Sequence, residues 1–261
     1  MLWDMSPSPA RTALVTGPTS GIGLAFAHRL AGSGHDLVLV SRTRERLDKL
    51  AAELRETYGV GVDVIVADVG RREELAAVEE RVADPARPVD LVVNNAGFGL
   101  KHPFLENSVE DEQHLLDTHV TAVLRVTHAA LGQMVARGSG AILNVSSVAG
   151  YLPRGTYSAA KAYVTSLSEW ADLTYRDRGV RVMALLPGFT RTEFHQRMHV
   201  SQDSAPAWMW LDVERLVDDA LRDLARGRRV SIPSRRYKLL AAVAQHTPAG
   251  VQAMFQGLGR R

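Results

Sequence analysis

The chain has 261 residues, 46% of them hydrophobic, and a formal net charge of +2, which places it within the size range of one α/β domain. It contains no cysteine, which excludes disulfides, thiolate metal sites and a cysteine nucleophile, and fits a reducing compartment. No run approaches the roughly 18 apolar residues of a membrane-spanning helix, and Met1 to Arg11 lack a signal-peptide core, so a cytoplasmic protein is expected.

Along the chain, short apolar runs rich in β-branched residues alternate with helical patterns. The runs are Thr12–Thr16, Leu37–Val40, Val62–Ala67, Leu91–Asn94, Ala141–Val145 and Val180–Leu186, with a seventh at Arg229–Ile232. Apolar residues at successive positions imply strands covered on both faces, as in a parallel sheet. Between them, segments such as Thr43–Tyr58 and Arg71–Ala83 place apolar residues at helical spacing with charges outside. This alternation predicts a Rossmann-type α/β fold: a doubly wound, mostly parallel sheet of about seven strands with helices on both faces. No linker or repeat divides residues 1–261, so a single dinucleotide-binding and catalytic domain is expected. The one irregular insertion, about 190–211, is rich in Met, Trp and His and reads as a lid over a pocket.

The first strand runs into Thr16-Gly17-Pro18-Thr19-Ser20-Gly21-Ile22-Gly23. Glycines let a backbone turn tightly against a pyrophosphate, and a helix N-terminus supplies N–H donors and a positive dipole end. The spacing is GxxxGxG rather than GxGxxG, and a plain βα turn would also use glycines. Its place after a strand and before an apolar helix is what dinucleotide binding requires. At the end of the second strand, where an acid would hold the ribose of NAD, the chain has Ser41-Arg42. An acid there repels a 2′-phosphate and an arginine fork attracts it, so NADP(H) is expected over NAD(H).

Tyr157 is the only tyrosine with a lysine four residues on. At i and i+4 of a helix, Tyr157 and Lys161 share one face, and a neighbouring ammonium favours phenolate over phenol. That spacing alone can mark a solvated helix face. A phenol brought near neutral pH would exchange a proton with a carbonyl or alcohol oxygen.

With these motifs in order, the chain resembles the short-chain dehydrogenase/reductase family over roughly Arg11 to Ile232. The resemblance rests on Gly17–Gly23, Asp68-Val69, Asn94-Asn95-Ala96-Gly97, Ser147, the Tyr157/Lys161 pair and Pro187-Gly188-Phe189-Thr190-Arg191-Thr192. It implies that Gly17, Ser20, Gly21, Ile22 and Gly23 hold the pyrophosphate, with Asp68 and Val69 near the adenine. Asn95, Ala96 and Gly97 would lie beside the cofactor ribose. Pro187, Gly188, Thr190 and Thr192 would surround the carboxamide, and Ser147, Tyr157 and Lys161 would stand at the chemistry, Lys161 also reaching the nicotinamide ribose. Physically, the hydroxyls of Ser147 and Tyr157 can meet the oxygen on which charge develops. Ser146 competes with Ser147, but Ser147 directly precedes Val148-Ala149-Gly150 as the family's serine does.

The sequence departs from the family pattern twice. The loop Tyr151–Thr156 is clipped by about three residues relative to many relatives, which opens the pocket or tightens a turn. His119 stands where the family usually carries an asparagine that anchors a water beside the lysine. Imidazole can hold a water and titrates near neutral pH, so His119 is counted as a catalytic candidate; a structural role and impaired catalysis stay open. His195 and His199 have i, i+4 spacing but no third ligand, and no metal is expected.

Phe98, Tyr151, Leu152, Phe189, Phe194, Met198 and Trp208–Trp210 would give an apolar pocket suited to a hydrophobic carbonyl compound. After Leu224 there are eight basic residues and no acid, so the extension of about 234–261 has an anionic contact or a solvated end. Its Tyr237–Ala244 face allows peripheral membrane contact. No aromatic–basic motif supports nucleic-acid binding. The resemblance implies a homodimer or homotetramer paired through helices near Val109–Met134 and Tyr157–Arg176. The expected function is NADP(H)-dependent interconversion of a carbonyl and an alcohol on an apolar small molecule; the alternative is a redox-inactive dinucleotide-binding or sensing protein.

Overall fold

Side chains alternate across a strand, so a strand that is apolar at every position must be covered on both sides. A computed structural model of the protein, described for residues 11–192 and 206–246, shows this arrangement. Seven strands, β1 (Thr12–Thr16), β2 (Asp36–Ser41), β3 (Val62–Val66), β4 (Leu91–Asn94), β5 (Gly140–Val145), β6 (Val180–Leu185) and β7 (Val230–Ser231), form one sheet. Its order is β3-β2-β1-β4-β5-β6-β7 and every pairing is parallel. The sheet is thus wholly rather than mostly parallel, and each strand end lies within one residue of the sequence expectation.

The register sorts the core into two layers. Val38, Leu14, Val92, Ile142 and Val182 stand side by side in one row. They face α3 (Arg72–Ala83) and α5 (Ala122–Arg137), with Ala171 of α6 (Thr156–Tyr175) in the same cluster. One residue along, Leu39, Val15, Val93, Leu143 and Met183 form the opposite row. These pack on α1 (Gly21–Ala31), α2 (Arg44–Tyr58) and α7 (Val213–Ala225).

A third row carries two asparagines between the apolar layers. Asn94 ends β4 directly opposite Asn144 of β5. Asn94 donates to Asn144 Oδ1 at 2.8 Å, and Asn144 donates to Ser168 Oγ of α6 at 2.9 Å. Ser168 in turn donates to Val164 O at 2.7 Å. Buried amides left without partners would be costly, so this satisfied chain fixes the height of α6 against the sheet.

Because β1 pairs with β2 on one side and β4 on the other, the chain's connections leave in opposite directions there. A crevice opens at such a point beyond the carboxyl ends of the strands. The loops after β1, β2, β3, β4, β5 and β6 all reach that end. They carry the glycine turn, Ser41-Arg42, Asp68-Val69, Asn95-Ala96-Gly97, Ser147 and Pro187 to Thr192, while Tyr157 and Lys161 stand on α6. The helix expected over Val109–Met134 is α4 (Val109–Leu116) joined to α5 through a π turn at Asp117–Thr121, which holds His119.

Candidate active site

The glycine turn after β1 is closed by Gly17 N donating to Val40 O at 2.8 Å. Gly17 (φ +66°) and Gly21 (φ +57°) adopt the left-handed region that favours glycine. A Cβ on Gly23 would collide with Gly17 O and the Asn95 amide, so the start of α1 can approach the turn only without a side chain. Thr16 Oγ1 accepts from Asn95 N at 2.9 Å and Ala96 N at 3.0 Å, while Asn95 Nδ2 donates to Thr16 O and Gly17 O. One threonine and one asparagine therefore lock the first turn to the loop after β4.

The first turn of α1 carries no acid, and its N-cap Ser20 makes no side-chain capping bond. A helix start has N–H groups with no intrahelical acceptor, which suit an anion, and the bare backbone around Gly17 and Gly23 gives an anion room. These residues fit the pyrophosphate of a dinucleotide. At the adenosine end Arg42 is exposed, with Nη1 3.7 Å from Asp68 Oδ2. Asp68 Oδ1 accepts from Gly70 N at 2.9 Å, and its other oxygen lies 3.9 Å from His114 Nε2. Ser41, Arg42, Asp68 and Val69 thus meet at one edge of the crevice. His114, which the sequence reading passed over, stacks on Phe98 with ring centroids 5.2 Å apart.

At the other end, Ser147 follows β5 and caps a 3-10 turn, Val148–Tyr151, by accepting from Ala149 N at 3.1 Å. A Cβ on Gly150 would press into the backbone of Lys161 and Ala162, so glycine lets this turn lie directly on α6. Gly155 (φ +85°) then starts α6 just before Tyr157. The Ser147 and Tyr157 side chains share a hydrogen bond. Lys161 Nζ donates to Val145 O at 2.7 Å and sits 5.6 Å from the centre of the Tyr157 ring. Ser146 instead faces α6, bonded to Lys161 O at 2.7 Å and Thr165 Oγ1 at 2.8 Å. It braces the helix that presents Tyr157.

The electrostatics differ from the expectation of a phenol shifted down by its lysine. Burial pushes the Tyr157 hydroxyl up to about 12, opposed by its bond to Ser147. Partial exposure to the crevice tempers that rise without reversing it. Burial pulls Lys161 down to about 7. Desolvation outweighs the attraction of the pair because the ammonium lies against the ring and a backbone carbonyl, with no carboxylate to repay the loss of water. At neutral pH the phenol keeps its proton, and the lysine is the group that titrates.

His119 also departs from expectation. Only 1% exposed, it is held well below the usual histidine range, chiefly by burial and secondarily by the charge of Lys161. Burial therefore favours its neutral form. Nε2 lies 2.7 Å from Phe98 O and 3.0 Å from Phe98 N, so this nitrogen is committed to one backbone residue. The ring meets Tyr157 edge-on at 5.4 Å. A Cβ on Gly97 would strike it, which explains glycine at that position by packing. Nδ1 is buried and has no hydrogen-bond partner.

The loop after β6 brings Pro187 and Thr190 to the same crevice, and a Cβ on Gly21 would stand 3.0 Å from Thr192 Cβ. Pro187 O lies 3.5 Å from Ser147 Oγ, so this loop touches both the glycine turn and the hydroxyl pair. Thr190 bridges to Leu211, closing the base of the expected lid. Phe194, His195, Met198 and His199 lie outside the described residues, as does the tail beyond 246. Trp210 packs on Phe189 at 5.6 Å, while Trp208 is exposed. Among the described residues, no trio of acidic or histidine side chains could hold a metal ion.

Three comparisons bear on this arrangement. A family model described as short chain dehydrogenase matches residues 11–203. A short-chain dehydrogenase from Sphingobium yanoikuyae in complex with NADPH is 38% identical, covering 93% of this chain and 95% of that one, with a TM-score of 0.83. A bulky-bulky ketone specific alcohol dehydrogenase from Comamonas testosteroni is 34% identical, covering 94% and 95%, with a TM-score of 0.79. Among curated relatives, a very-long-chain 3-oxoacyl-CoA reductase from Anas platyrhynchos is 35% identical over 72% of this chain, which spans 62% of that protein's length.

The buried lysine has a measurable signature. Its native value of about 7 lies below its ordinary 10.5, so between these values the unfolded chain binds the extra proton. Stability therefore rises with pH across that window. In Lys161→Met this contribution should vanish, so urea unfolding from pH 6 to 10 should show a flatter profile than the unaltered protein. Parallel profiles would remove Lys161 as its source.

Proposed function

The chain belongs to the short-chain dehydrogenase family, and we propose that it works there as an NADPH-dependent reductase of bulky, apolar ketones. The observation that carries this reading is the joined hydroxyl pair Ser147 and Tyr157, backed by Lys161 and opening on the dinucleotide crevice. A phenol that keeps its proton at neutral pH can donate it to a carbonyl oxygen, the step that ketone reduction requires.

When bound, the nicotinamide dinucleotide supplies hydride. Tyr157 gives its proton to the carbonyl oxygen, and Ser147 donates a hydrogen bond to that oxygen as charge builds there. Lys161, in its protonated form, lies close enough to the ring to stabilise the phenolate left behind. His119 is a neutral positioning group: it fixes the Gly97–Phe98 backbone and the edge of the Tyr157 ring.

NADPH over NADH is supported by Arg42, exposed at the end of β2 where a ribose-binding acid would otherwise stand. The dehydrogenase with bound NADPH supports the same choice. An apolar substrate is supported by the Phe189–Trp210 pair beside the crevice and by the ketone and acyl substrates in the names of the Comamonas testosteroni dehydrogenase and the Anas platyrhynchos reductase. Leu124 of α5 and Trp170 and Leu173 of α6 are exposed apolar residues on the long helices. Pairing of two chains through these helices would cover them, and sedimentation velocity should show a dimer or larger. A monomer at micromolar concentration would contradict that pairing.

Three substitutions test the chemistry. Against a panel of aryl and long-chain ketones, followed by loss of reduced-nicotinamide absorbance, Tyr157→Phe should lower turnover at least about a hundredfold. His119→Asn should leave the shape of the pH–rate profile unchanged; a lost or displaced limb would show that the imidazole titrates during turnover. NADPH that binds tightly with no ketone reduced would favour a redox-inactive binding protein. Arg42→Asp should shift the NADPH-to-NADH preference by roughly ten- to a hundredfold, and an unchanged ratio would refute the assignment of Arg42.

A further inference from the structure

The basic extension after Leu224 reads in sequence as a tail, but its helix α8 (Arg235–His246) is fastened to the catalytic end of the sheet. Tyr237 is 3% exposed. Its hydroxyl accepts from Phe189 N at 2.9 Å and donates to Met209 O at 2.8 Å. One phenol thus joins the segment that follows β6 to the 3-10 turn around Met209. Its ring lies so close to Gly188 that a Cβ there would overlap the ring carbons. Around it pack Met209, Val148, Phe189, Trp210, Leu211 and Ile232, and Val148 is the residue after Ser147.

Two further features show that this seat is built. Ser234, just ahead of α8, has φ +113°, the one non-glycine positive φ among the described residues. Such strain persists only where surrounding contacts hold it. On the same helix, Arg236 donates to Trp208 O, a second grip on the segment around Met209. The two segments are also joined directly, with Leu211 N donating to Phe189 O at 2.8 Å and Arg191 N donating to Leu211 O at 3.1 Å. Phe189 is therefore held through both its backbone groups, by Leu211 and by Tyr237.

We propose that Tyr237 is a positioning residue that sets the Gly188–Phe189 backbone at the nicotinamide side of the crevice and ties it to the segment around Met209. The assignment of that side rests on the dinucleotide reading above. Burial pushes the phenol up to about 12, so it stays protonated and serves as donor and acceptor together across the working pH range. Phenylalanine would keep the ring on Gly188 and remove the bonds to Phe189 N and Met209 O.

The test compares Tyr237→Phe with Leu239→Ala, a change on the exposed side of the same helix. Ligands are NADPH, read by nicotinamide fluorescence, and adenosine 2′,5′-bisphosphate, which carries only the adenosine half. Tyr237→Phe should weaken NADPH roughly tenfold, leave the bisphosphate unchanged, and speed amide exchange in peptides containing Phe189 and Leu211. Leu239→Ala should match the unaltered protein in all three. Unchanged NADPH affinity and exchange in Tyr237→Phe would overturn the proposal, and so would equal weakening of both ligands, the mark of general destabilisation. If the unaltered chain failed to bind NADPH, the dinucleotide reading would fall, while exchange at Phe189 would still decide whether Tyr237 holds the loop.

Discussion

The site depends on keeping one ammonium dry. Lys161 lies against the last carbonyl of β5 and the ring of Tyr157, on a helix whose height is set by the amide chain from Asn94 through Asn144 to Ser168. Ser146 ties the carbonyl of Lys161 itself back to the strand end. Without that scaffold a lysine would reach water and recover its ordinary affinity for protons. With it, the proton balance of the pair is inverted: the lysine gives way near neutrality and the phenol holds on.

Glycine does the complementary work of bringing backbones into range. Gly23 allows the first helix to begin against the turn, Gly150 allows the Ser147 turn to rest on α6, and Gly97 makes room for the His119 ring. In each case a side chain would collide with another element. These contacts connect loops far apart in sequence, and they place six strand ends around one crevice.

Much of this was legible in the residues. Continuous apolar runs located the inner strands because burial on both faces leaves no polar alternation to confuse the period, while the edge strands β3 and β7, with Asp63 and Ser231 in them, followed from β-branched residues and chain order. Chain order and motif chemistry then located the crevice. What escaped depended on partners many residues away. The shift of Tyr157 follows from how deeply its surroundings exclude water, which i, i+4 spacing does not contain. His119 was expected to titrate because its packing against Gly97 and Phe98 was invisible. Tyr237 gave no local sign of binding Phe189 and Met209, 48 and 28 residues away. Asn94 and Asn144 did leave a trace: each is a polar residue near the end of an apolar strand, a pattern that points to a buried hydrogen-bond chain.

The proton inventory of the Tyr157–Lys161 pair is the point on which the account can be tested most directly. Carbon-13 NMR of Lys161 Cε and Tyr157 Cζ, followed across pH with NADPH absent, reports each group separately. The account predicts a lysine midpoint near 7 with the phenol still protonated through and beyond that transition. A tyrosine that ionises first, while Lys161 keeps its charge into the ordinary lysine range, would contradict it.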